Sequence, residues 1–214
     1  MKKSGFTLVE MLVVIGIIAV LVGASIGGFS AMTKSAENTK CQELVSNAAT
    51  ALTAMCQDTG VWPQRLANQG ASDGELDQLT AYALVAKKKY FSLTVQNGKL
   101  AGLDRFGIVS PWATAVIKRK GSMASLSDVV SSSPAHGSMT IKDHILHYAL
   151  DLDGDGVIKG ASVGGQMIDV RATAIVWCGG RDGFIDPYPF AGGGRRGNSD
   201  DVYSWTPGQT RSVK

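Results

Sequence analysis

Three carboxylates alternate in the stretch Asp151-Leu152-Asp153-Gly154-Asp155-Gly156-Val157-Ile158. Acidic side chains at the first, third and fifth places, a glycine at the sixth and an apolar residue at the eighth match the first half of a calcium loop, in which hard oxygen ligands wrap the cation and the glycine permits the sharp turn. The pattern departs at the twelfth place, where Ser162 stands instead of a bidentate Glu. The flanks read as strands rather than helices. The expectation is therefore a calcium-binding Asp loop, carried by Asp151, Asp153 and Asp155, that joins two strands. The alternative is an Asx-rich turn needing no ion, and repulsion among three close carboxylates counts against it.

Glu10 is the second group that asks for chemistry, because it is the only ionisable side chain between Phe6 and Phe29. A carboxylate at the centre of a bilayer costs at least about 2.5–3.5 kcal/mol, and less near an end where the side chain can snorkel. A plain membrane anchor leaves Glu10 with nothing to do.

Other polar groups carry less. His144 and His147 are three apart; on one strand they face opposite sides, so packing or surface exposure is expected rather than a metal pair. Arg195-Arg196 lies among glycines and reads as solvated. The chain has no Gly-x-Ser-x-Gly, no phosphate-cradling loop and no Cys-x-x-Cys, so the expectation is a protein that is not an enzyme.

The elements that must position these groups begin with a long helix. At about 1.5 Å per residue, the run from Phe6 to Phe29 is long enough as a helix to cross a hydrocarbon core of about 30 Å. Lys2 and Lys3 precede the run and the next basic residue is Lys34, so the positive-inside rule puts the N-terminus in the cytoplasm and exports the rest. A cleaved secretory signal has a shorter apolar core of about 7–15 residues. After Gly27-Gly28 the pattern turns amphipathic, with Cys41, Leu44, Val45, Ala48, Leu52, Met55 and Cys56 at three- and four-residue steps. One helix, apolar over 6–29 and one-sided over 30–58, is expected to end at Gly60 and Pro63.

The rest, 59–214, reads as a small domain. Ser72-Asp73-Gly74-Glu75 has the form of a capping box, which predicts a second helix carrying Leu76, Leu79, Ala83 and Leu84 and ending near Lys88. Strands are expected at Tyr90–Gln96 and Lys99–Leu103 across Asn97-Gly98, and at Ala113–Arg119, Ile145–Leu152 and Val170–Cys178, as an antiparallel sheet of about four or five strands. The fold class is α+β. Aromatics are scarce at 7% and glycines number 26, which suits many turns and irregular loops. Three cysteines leave at least one unpaired within the molecule. Cys41 and Cys56 stand about 22 Å apart along one helix and cannot bond to each other. Both read as core residues, with a Cys56–Cys178 bond as the lesser alternative.

The opening Lys2-Lys3-Ser4-Gly5-Phe6-Thr7-Leu8-Val9-Glu10 resembles the leader of type IV pilins and type II secretion pseudopilins, with a basic leader, a glycine, an aromatic residue and a Glu five places after the glycine. The resemblance implies that prepilin peptidase cuts after Gly5 and methylates Phe6, giving a leader at 1–5. It implies also that Glu10 meets the free amine of a neighbouring subunit in a filament. Pairing with an ammonium removes much of the penalty on a carboxylate in an apolar bundle. Without Lys2 and Lys3 the 21 basic side chains fall to 19 against 18 acidic ones, which argues against a nucleic-acid partner held by bulk charge.

The C-terminal Gly180-Arg181-Asp182-Gly183, the glycines 192–194 and Asp200-Asp201-Val202-Tyr203-Ser204-Trp205 resemble the end of major pseudopilins. That likeness implies calcium ligands at Asp200 and Asp201, with Asp182 a lesser candidate. The insertion Pro187–Phe190, the arginine pair and the separate Asp151 loop are differences from that family. The resemblance implies a structural subunit of a type II secretion pseudopilus, most like the major pseudopilin, anchored in the bacterial inner membrane with its body in the periplasm. Such a subunit self-assembles with minor pseudopilins on a secretion platform into a filament driving protein export. A type IV pilin, or a membrane-anchored calcium-binding domain, are the alternatives.

Overall fold

The computed structural model describes residues 7–86, 90, 95–96, 99–100, 106–134, 136–186 and 200–212. The chain divides into two units, Met1–Thr39 and Lys40–Lys214. In chain order its elements are α1 (Leu8–Thr59), α2 (Gln64–Gln69), β1 (Gly74–Glu75), α3 (Gln78–Ala86), β2 (Val95–Gln96), β3 (Lys99–Leu100), α4 (Pro111–Lys120), β4 (Val129–Ser133) and β5 (Gly137–Thr140), followed by β6 (His147–Leu150), β7 (Ile158–Val163), β8 (Gln166–Val170), β9 (Ala174–Cys178), β10 (Val202–Tyr203) and β11 (Thr210–Ser212). All strand pairs are antiparallel.

In the first unit, residues 8–23 of α1 form a helix, apolar except for Glu10, with exposed side chains. In the second, residues 40–59 of α1 carry the amphipathic stripe. Cys41, Val45, Ala48, Ala51, Leu52 and Met55 are all buried there. They share a core with Leu146, just before β6, and with Tyr148, Leu150, Val176, Cys178 and Val202 of the sheet ordered β1-β6-β9-β10. Removing a leucine-sized side chain from water in this way contributes about 1.5–3 kcal/mol. The helix ends as the sequence predicts, with Gly60 at φ +71° and its N–H donating to the Cys56 carbonyl at 2.8 Å.

β9 is covered on both sides, which explains its unbroken apolar run Ala-Ile-Val-Trp-Cys. Val176 and Cys178 meet the helix, while Ile175 and Trp177 turn to a second core with Ile158, Ala161, Val163, Ile168 and Val170 of the sheet β11-β8-β7 and with Trp205. Two hairpins, β2-β3 and β4-β5, complete the strands. The single small sheet of the sequence reading is thus several. Its expected strand Val170–Cys178 divides at Arg171–Thr173, where Arg171 N–H donates to the Gln209 carbonyl and the Thr173 carbonyl accepts from Asp151.

Two further expectations are corrected. Ala113–Arg119 is helical, not extended, within α4. Pro111 opens that helix, Trp112, Ala113 and Val116 bury one face, and Lys118, Arg119 and Lys120 favour its C-terminal dipole. The Ser72–Glu75 capping box does not form, because Gly74 and Glu75 pair with Tyr148 and His147 in the sheet. Asp77 caps α3 instead, accepting the Thr80 N–H at 2.8 Å. The β2-β3 pair has the expected register, Val95 opposite Leu100 and Gln96 opposite Lys99; Asn97-Gly98 and Lys87–Lys89 lie outside the described residues.

Candidate functional site

Gly5 and Phe6 lie outside the described residues. Glu10 lies within them and sits in the first turn of α1. Its Oε2 accepts from the Thr7 N–H at 2.8 Å and the Thr7 hydroxyl at 2.7 Å, while Glu10 N–H donates back to Thr7 Oγ1 at 3.3 Å. This is a reciprocal capping box in which Thr7 and Glu10 satisfy donors that the helix start leaves open. The signal for it, Thr-x-x-Glu, is present in the sequence. Among the described residues no helix is long and apolar enough to cross a membrane; Phe6 and the side chains of residues 24–31 of the apolar run fall outside them.

The Asp151 loop joins β6 to β7, strand to strand as expected. One carboxylate oxygen from each of Asp151, Asp153 and Asp155 falls within 4.8 Å of the others. Asp151 is buried and shapes the turn, taking the Gly154 N–H at 2.8 Å on one oxygen and the Gly156 N–H at 2.7 Å on the other. Gly154 and Gly156 adopt φ of +76° and +82°, which their side-chain-free backbones allow. The loop is fixed to the segment between α1 and α2 by Trp62 Nε1, which donates to the Asp151 carbonyl at 2.6 Å.

Sequence reasoning missed Lys159. Its ammonium lies 2.5 Å from both Asp153 and Asp155, where it relieves the repulsion among the carboxylates. The contact with Lys159 is the first cause holding the Asp153 carboxyl below its ordinary range, and the two aspartates hold the Lys159 ammonium above its own. The i,i+4 step from Asp155 and the alternation along β7 were the available signals. The donor set suits a hard divalent cation, which at Asp153 and Asp155 would take the place of this ammonium. Ser162, at the twelfth place, lies in β7 and donates its N–H to the Ser72 carbonyl at 3.0 Å.

Asp182, Asp200 and Asp201 meet at the turn after β9 without forming a comparable carboxylate cluster among the described residues. Asp200 Oδ2 accepts the Arg181 N–H at 2.5 Å, and Asp201 takes the Gly180 N–H at 3.2 Å, the Asp186 N–H at 2.9 Å and the Tyr203 hydroxyl at 2.9 Å. Asp182 turns inward on its own loop, accepting the Phe184 N–H at 3.0 Å. The acidic pair therefore laces residues 180–186 to β10 directly. Gly180 makes this approach possible, since a Cβ there would come within 2.2 Å of the Asp200 carbonyl oxygen.

His144 and His147 do not share a strand. His147 pairs with Asp73 at 2.7 Å from β6. His144 occupies a 3-10 turn, fully buried, with Nδ1 2.9 Å from the Ser110 hydroxyl and Nε2 against Gly183. Burial pushes its pKa down to about 4, against the opposing pull of Asp143, Asp182 and Asp200. Cys56 is only half-buried and faces no cysteine; Cys41 holds the place beside Cys178 that the sequence reading offered to Cys56.

The architecture is mixed α+β, a long N-terminal helix packed on antiparallel sheets, as in a pilin-like fold. The family model of the prokaryotic N-terminal methylation motif matches residues 1–26. That match supports a type IV pilin-like or pseudopilin substrate of prepilin peptidase, and it implies processing and filament assembly in general terms. No curated protein and no solved structure matches the chain.

Proposed function

We propose that the chain is a structural subunit of a type II secretion pseudopilus. The carrying observation is the match to the methylation motif over residues 1–26, a span that contains Gly5, Phe6 and Glu10. Prepilin peptidase cuts after Gly5 and methylates Phe6. Residues 6–29 hold the subunit in the bacterial inner membrane, N-terminus in the cytoplasm and body in the periplasm. On assembly the Phe6 ammonium of one subunit meets Glu10 of its neighbour, so that only correctly registered helices neutralise the carboxylate. The filament grows on an inner-membrane platform with minor pseudopilins and drives exported proteins outward.

Two observations favour a pseudopilus over a type IV pilus for adhesion, motility or DNA uptake. The acidic pair Asp200-Asp201 ties the C-terminal segment to the Gly180–Asp186 turn, and the C-terminal Cys178 faces the helix at Cys41 rather than a second cysteine in its own region. Calcium belongs to the proposal at the Asp151, Asp153 and Asp155 loop, and at Asp200, Asp201 and Asp182 where it adds to the direct hydrogen bonds. The protein's work is mechanical, with no catalytic step. Deleting its gene in the native host tests the choice of filament: loss of proteins from the medium with surface pili intact is expected, and loss of surface pili with secretion intact contradicts it.

A further inference from the structure

Cys41 and Cys178 lie far apart in sequence, yet their sulfurs stand 3.0 Å apart, both fully buried. Cys41 sits on the sheet-facing stripe of α1 and Cys178 ends β9, its Cα partner being Val202 of β10. Val45, Ala48, Val176 and Val202 belong to the same core as the pair. Closing the remaining gap to a bond of about 2.05 Å takes a movement of about 1 Å.

We propose that Cys41 and Cys178 form a disulfide after export, bonding the helix covalently to the last long strand of the body. Such a bond closes a loop over residues 41–178, and long loops gain most from restriction of the unfolded chain. Its place suits a subunit under load, because force on the helix then reaches the sheet through a covalent link as well as through packing.

The chemistry needs an oxidant, which is a protein disulfide of the exported compartment. One cysteine thiolate attacks a sulfur of that disulfide, forming a mixed disulfide and releasing the oxidant's first thiolate. The second cysteine thiolate attacks the chain's own sulfur in the mixed disulfide, forming the Cys41–Cys178 bond and releasing the oxidant's second thiolate. The two protons shed by the chain pass to the oxidant, which leaves as a dithiol carrying both electrons. Exchange happens while the chain folds, because in the folded state the Cys41 contact and then burial hold the Cys178 thiol neutral and unreactive. Half-buried Cys56 stays free.

The proposal rests on export, and one experiment separates the two. The protein as it stands in the native host envelope is quenched in acid, denatured, and alkylated with N-ethylmaleimide with and without prior reduction. One adduct without reduction, on Cys56, and three with it are expected, with a peptide map joining Cys41 to Cys178. Three adducts without reduction overturn the disulfide, as does a map joining Cys56 to Cys178. The N-terminal peptide in the same digest reports processing independently, so a methylated Phe6 beside three free thiols sinks the disulfide and leaves the filament reading standing. A Cys56→Ser variant, which removes no buried sulfur, is expected to give no adduct without reduction.

Discussion

Thr7 donates both its amide N–H and its hydroxyl to one oxygen of Glu10, at 2.8 and 2.7 Å. The residue proposed as the charge partner in a filament is thus also the N3 member of a capping box in the single chain. Both bonds fall on Oε2, so Thr7 orients the carboxylate that the proposed pairing would present to a neighbour's ammonium.

The two roles separate by substitution. Thr7→Ala removes the cap and keeps the charge, whereas Glu10→Gln keeps an oxygen for Thr7 and removes the charge. Pairing with the neighbour's amine predicts that Thr7→Ala assembles filaments and that Glu10→Gln and Glu10→Leu insert normally but fail to assemble, scored by electron microscopy and membrane fractionation. Wild-type filaments from Glu10→Leu contradict the pairing.

The Lys159 bridge sets the terms for calcium. Lys159→Ala leaves Asp153 and Asp155 without their ammonium, so thermal stability without divalent cation should fall and calcium should restore it, with tighter binding than in the wild type. Calcium should also protect residues 180–212 from protease, and Asp200→Asn with Asp201→Asn, which retains an amide oxygen for the backbone donors, should abolish that protection. Melting and proteolysis curves that ignore calcium and chelator alike remove calcium from the account.

What the sequence made legible follows the strength of its periodicities. The α1 stripe at Cys41, Val45, Ala48, Leu52 and Met55 is read directly, because burial of one helix face leaves a 3.6-residue signature that nothing else produces. Ala113–Arg119 misled because its β-branched residues fit a strand locally, while Pro111 and the burial of Trp112, Ala113 and Val116 select a helix. The Asp151 turn is visible in its spacing, whereas the i,i+4 step from Asp155 to Lys159 only hints at a bridge whose second arm, to Asp153, depends on how β7 leaves the loop. Likewise no spacing rule brings Cys41 beside Cys178: that contact is made by the packing of α1 on β9.

His144 predicts a pH dependence. Its buried ring titrates at about 4, against an ordinary 6.5, so between these values the unfolded chain binds the proton that the folded chain refuses. Stability from the neutral ring is complete above about pH 6.5 and is lost as pH falls toward 4, by up to about 3 kcal/mol. Denaturant midpoints of detergent-solubilised protein should rise with pH across this window and rise less steeply in His144→Gln. Equal slopes in the two proteins contradict the assignment.

The most direct test of the central claim is the intact mass of the reduced protein purified from membranes of its native host. The account predicts a chain lacking residues 1–5 and carrying one added methyl group on Phe6. A full-length unmethylated chain, or one cut beyond residue 20, contradicts it.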